Sequence, residues 1–119
     1  MTLRRMKTYT GGQGYVYQYY FVGKRAALGA ERETATEYIF DVTSDRKTTF
    51  AVSVFFQDLA AKDWASHHGR ALTEAEQYAA VKMRLFQAFD ELEDMMAEGR
   101  SLMVDRENLG SLLQTLGVA

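Results

Sequence analysis

The chain contains neither cysteine nor proline, and only two histidines and one tryptophan, among its 119 residues. Without cysteine it can form no disulfide, no thiolate nucleophile and no zinc–thiolate centre. Proline is missing too, and no repeat, charge block or low-complexity linker marks a boundary, so residues 1–119 read as a single domain. No uncharged stretch approaches the roughly 20 apolar residues of a membrane-spanning helix. The opening Met1-Thr2-Leu3-Arg4-Arg5-Met6-Lys7 is basic, but threonine, tyrosine and glycine follow it instead of a leucine-rich segment. That argues against a secretory signal and for a cytoplasmic protein.

What is present is ordinary for a folded domain: 47% hydrophobic, 13% aromatic and 25% charged residues. A chain of this size buries roughly two thirds of its unfolded surface and needs no metal or disulfide staple. The net charge of −2 conceals an asymmetry. Residues 1–50 carry eight lysines and arginines against five acids, whereas residues 51–119 carry six against eleven. A mildly basic first half and an acidic second half suit self-assembly or weak attraction to a polyanion.

The most informative segment is Gly14-Tyr15-Val16-Tyr17-Gln18-Tyr19-Tyr20-Phe21-Val22-Gly23. Strand alternation puts Tyr15, Tyr17, Tyr19 and Phe21 on one face and Val16, Gln18, Tyr20 and Val22 on the other, and neither face resembles a solvated surface. A second strand around Thr36–Val42 aligns Tyr38, Phe40 and Val42, and a third around Thr48–Phe56 aligns Phe50, Val52, Val54 and Phe56. Ser44-Asp45-Arg46-Lys47 supplies the polar turn between them. Keeping both apolar sets on one face sets Phe40 opposite Val52 and Val42 opposite Phe50. Gly23 to Glu33 is the candidate loop between the first two strands.

Three helices are expected next. Asp58 is a candidate N-cap for a helix ending near His68, with Gly69 in the left-handed C-terminal position. Thr73-Glu74-Ala75-Glu76 has the form of a capping box and opens a long helix to about Glu98. On it Tyr78, Val81, Leu85, Phe89, Leu92 and Met96 recur at spacings of three and four. Asp105 can cap a last helix carrying Leu109, Leu112, Leu113 and Leu116, closed by Gly117. The fold class is therefore α+β: a three-stranded antiparallel meander followed by three helices, the long second helix packed on one sheet face.

Motifs for chemistry are scarce. His67 and His68, with Asp63 four residues before His67, could offer two metal ligands, too few for a site, and they suit the negative end of a helix dipole better. Gly11-Gly12-Gln13-Gly14 precedes a strand, where a phosphate-cradling loop would precede a helix. Asp90, Glu91, Glu93, Asp94 and Glu98 form an acidic stripe without the alternating spacing of a calcium loop. Ser66 adjoins His67 and Ser53 sits in mid-strand, so no nucleophile with a separate base and acid emerges. No catalytic residue, cofactor or metal is assigned, and an enzyme ranks third among the function classes.

The first class is a non-enzymatic module that forms a homodimer through an apolar sheet face built from Val16, Gln18, Tyr20, Val22, Ile39 and Phe55, with Ala51 adding to it. The second is a small binding domain for single-stranded nucleic acid or an aromatic metabolite. There Tyr15, Tyr17 and Tyr19 would stack on bases while Lys24, Arg25, Arg46 and Lys47 contact phosphates, weakly for want of a dense basic cluster. A membrane partner is not expected.

Overall fold

A computed structural model describes residues 6–28 and 32–118. It shows a mixed α+β chain with a five-stranded sheet in the order β1-β2-β3-β4-β5. The strands are β1 (Lys7–Thr10), β2 (Val16–Leu28), β3 (Thr34–Thr43), β4 (Phe50–Gln57) and β5 (Ser101–Val104). The helices are α1 (Asp58–His68), α2 (Glu74–Glu91), α3 (Met95–Glu98) and α4 (Leu109–Thr115). Strands β1 to β4 form an antiparallel meander, and β5 returns after three helices to lie parallel to β4.

The expected three-strand meander is thus the centre of a wider sheet. Phe40 pairs with Val52 and Val42 with Phe50, the register that the apolar pattern requires. The added strands have only four residues each, and their inward apolar side chains are Tyr9 on β1 and Leu102 and Val104 on β5. Strand β2 also runs on to Leu28 where a loop was expected from Gly23. Its ladder shifts register between Phe21 and Gly23, so Val22 is the extra residue of a β-bulge and Gly23 resumes pairing opposite Ile39. Gly23 therefore absorbs a bulge instead of ending the strand. Residues 29–31 of the expected loop, and residues 1–5 of the basic opening, lie outside the described residues.

Helix α1 ends as read, with Gly69 at φ 71°, although Gln57 holds the N-cap position and Asp58 is the first helical residue. Helix α2 begins with the capping box in full: the Glu76 amide donates to the Thr73 hydroxyl, and the Thr73 amide donates to the Glu76 carboxylate. It stops at Glu91, seven residues short of the expected end, because Leu92 turns extended and Asp94 caps the new short helix α3. Met96, assigned to the buried stripe, is consequently 43% exposed. Asp105 does not cap α4; its carboxylate accepts from the Glu107 and Asn108 amides in the turn before that helix. Gly117, at φ 78°, follows the helix end as expected.

The core fills one side of the sheet. Tyr17, Tyr19, Tyr38, Phe40, Val42, Phe50, Val52, Val54 and Phe56 form a single buried cluster with Ala80, Val81, Leu85, Ala88 and Phe89 of α2. Ala60 and Trp64 of α1, Met95 of α3 and Leu109, Leu112 and Leu113 of α4 join it. Tyr17 stacks on Phe89 with ring centroids 4.2 Å apart, and Tyr9 stacks on Phe86 at 4.4 Å. The long helix thus packs on the inner face through Val81, Leu85 and Phe89, as its periodicity requires, with Leu92 half-buried at its end.

Candidate functional site: the outer face of the sheet

Because the helices gather on the inner side, the alternate residues of β2, β3, β4 and β5 form an outer face that retains solvent access apart from Ala35, Glu37 and Thr43. Val16 is 44% and Val22 40% exposed, while Gln18, Tyr20, Ile39, Phe55 and Met103 are half-buried. Of the six residues assigned to an interface, five keep the face that alternation gives them. Val22 differs, since the bulge makes it the unpaired residue and Gly23 takes the place opposite Ile39.

Polar groups interrupt this face in bonded sets. The Tyr20 hydroxyl donates to Asp41 at 2.6 Å. Arg25 Nε donates to Glu37 Oε1 at 2.8 Å, and the Ser53 hydroxyl donates to Oε2 of the same carboxylate at 2.6 Å. Register explains the second set, because Arg25 lies directly opposite Glu37, and Glu37 lies opposite Phe55, two residues from Ser53 on the same face of β4. Only 7% of Glu37 is exposed, yet the Arg25 hydrogen bond, reinforced by Ser53, holds its pKa below the usual glutamate value. A charged carboxylate therefore sits in the middle of the sheet face with its oxygens occupied. Further along, Gln57 Nε2 donates to Glu33 and to Met103 Sδ.

Glu37 and Met103 belong to this face and are missing from the sequence-based set. Glu37 was legible, since it lies two residues from Ile39 on the same alternation. Met103 was not, because β5 has no strand signal of its own.

The residues proposed to hold a nucleic acid are not brought together. Tyr17 and Tyr19 are 2% and 4% exposed, buried among Phe40, Phe86 and Phe89, and turn no ring face to solvent. Only Tyr15 of the three is exposed. Lys24 lies on the inner side against the Tyr38 ring and pairs with Glu74 at 3.6 Å, whereas Arg25 points outward to Glu37. Arg46 and Lys47 occupy the β3–β4 turn, which Asp45 orders by accepting from the Lys47 and Thr48 amides.

The remaining motifs resolve into structure. His67 and His68 place Nδ1 2.8 Å from the carbonyls of Asp63 and Trp64, one turn back. No group of three or more potential metal ligands occurs among the described residues. Gly11 to Tyr15 forms the β1–β2 hairpin turn, closed by the Gly11 amide on the Tyr15 carbonyl. From the acidic stripe, Asp90 accepts from the Tyr9 hydroxyl and the Gly12 amide and so fastens that hairpin to the end of α2. No described helix is long and apolar enough to cross a membrane. No family model matches the chain, and no curated protein or solved structure is similar enough to match it.

Proposed function

We propose that the protein is a non-enzymatic interaction module that pairs with a second copy through the outer face of its sheet. The observation that supports this reading is the combination of accessible apolar side chains with a central carboxylate, Glu37, already bonded within the chain. Val16, Ile39, Phe55 and Met103 offer apolar surface, and Glu37 would enter an interface with both oxygens bonded. Burying an unpaired carboxylate costs several kcal/mol, so internal pairing removes the main obstacle to drying this face. Isologous pairing is the commonest way for a soluble protein to cover such a surface.

The test is oligomeric state. At about 100 μM, light scattering and sedimentation velocity should report a dimer, and Tyr20→Glu should return monomers with far-UV circular dichroism unchanged, because its new charge would be desolvated at the interface. A monomeric wild type at that concentration would overturn the proposal.

A further inference from the structure

On the helix side of the molecule, remote from the outer face, two recesses flank Tyr78 and share it as a wall. One, of about 350 Å³, runs between Phe21, Tyr38 and Tyr78 with Lys24 at its rim. The other, of about 200 Å³, runs between Tyr78, Met83, Phe86 and Leu116 with Lys82 at its rim. Together they make an aromatic trough along the exposed flank of α2. Phe21 meets Tyr78 edge-on at 5.1 Å between centroids, and 38% of Phe21 stays accessible.

The cations at this trough are not equivalent. Lys24 is neutralised by Glu74, 3.6 Å away. Lys82 has no carboxylate partner among the described residues; its ammonium lies 5.6 Å from the centre of the Tyr78 ring and 5.9 Å from that of Phe86. Lys7 on β1 lies opposite Tyr19, whose ring meets Phe86 at 5.7 Å, and so it stands on the same side of the sheet as Lys82. Lys7 likewise has no described acid partner. Partial burial, and then the Lys7 charge, push the Lys82 pKa below the usual lysine value. Lys82 therefore stands at the mouth of an apolar trough, with Lys7 on the same side of the sheet, and no acid among the described residues is paired with either.

Such a pair favours an anion, and the trough beside it favours an apolar body attached to that anion. A bare inorganic anion would leave the rings uncovered, and a cationic amphiphile would add a third positive charge. We propose that this trough binds an amphiphilic carboxylate, its head between Lys7 and Lys82 and its hydrocarbon part lying over Tyr78 toward Phe21 and Tyr38. The site is independent of pairing through the outer face, which lies on the opposite side of the sheet.

Decanoate and decyltrimethylammonium, matched in chain length and opposite in charge, are the probes. Titration calorimetry should give saturable binding of decanoate below its micellar concentration and none of the cationic probe. Methyl resonances of Met83 and Leu116 should shift in step with the heat, while those of Ile39 stay fixed. Lys82→Gln and Lys7→Gln should each weaken decanoate by about tenfold or more, the range for a hydrogen bond to a charged group, with unchanged circular dichroism. Equal binding of the two probes, absence of saturable decanoate binding, shifts centred on Ile39, or full affinity in both variants would overturn the proposal.

Discussion

The two faces of the sheet are made by alternate residues of the same strands, yet different interactions hold them. On the inner face Phe40, Val42, Val52 and Val54 have no exposure at all and share one buried cluster with Val81, Leu85 and Phe89 of α2, equally buried. On the outer face Glu37 is fixed by Arg25 and Ser53, and the apolar residues around it remain partly wet. Dispersion and water exclusion act wherever atoms crowd, so the inner face tolerates little loss of volume. Hydrogen bonds and charges contribute less net energy and depend on protonation. The inner face should therefore respond to volume and the outer face to pH.

The largest effect belongs to the centre of the inner face. Leu85→Ala removes a fully buried side chain from the helix that covers the sheet, and it should cost about 2–5 kcal/mol in a denaturant titration. A loss below about 0.5 kcal/mol, the range of surface substitutions, would mean that the helix does not seal this face as described.

That central packing was legible in the sequence because it repeats. The apolar alternations of β3 and β4 have one register that keeps both sets inside, and α2 announces its start with a capping box and its buried face with regular spacing. What escaped notice depends on contacts distant along the chain. In β1, Lys7-Thr8-Tyr9-Thr10 carries a single inward aromatic and is held by the Tyr9–Phe86 stack and the hydrogen bonds of Asp90, about eighty positions away. In β5, four residues between two helices contribute only Leu102 and Val104, too short a run to display alternation. Gly23 and Leu92 misled in opposite ways: the glycine was a bulge inside a strand, and the leucine extended an apolar stripe past the end of its helix. On the outer face the alternation gave the right positions, but the Arg25–Glu37–Ser53 set needs a three-strand register that no single strand reveals.

Glycine substitutions sharpen the comparison at an intermediate scale. A Cβ on Gly11 would lie 2.4 Å from the carbonyl oxygen of Phe89, a backbone atom that cannot swing aside. A Cβ on Gly23, at the outer-face bulge, would meet nothing within 4 Å. Gly11→Ala should therefore cost about 1–3 kcal/mol, as overpacking does, while Gly23→Ala should stay within about 0.5 kcal/mol of wild type. Equal losses in thermal unfolding would show that the end of α2 does not press on the hairpin any harder than solvent presses on the bulge.

The smallest effect lies on the outer face and appears only in acid. Bonding to Arg25 and Ser53 keeps Glu37 below the ordinary glutamate pKa of 4.5. The folded state consequently binds fewer protons than the unfolded state as the pH falls past that value. The stabilisation from Glu37 is complete above pH 4.5 and disappears as the pH drops through the folded pKa. Glu76, clamped by both terminal nitrogens of Arg70 and by the Thr73 amide, is held at about 2 and adds to the same acid slope. Glu37→Gln should flatten part of the fall in unfolding midpoint between about pH 5 and about pH 2, and Glu76→Gln another part. Leu85→Ala should instead lower the whole curve without changing its slope, since no proton is exchanged at that site. If Glu37→Gln runs parallel to wild type throughout this range, the carboxylate is not held ionised by Arg25 and Ser53, and the outer face loses the electrostatic character that separates it from the inner one.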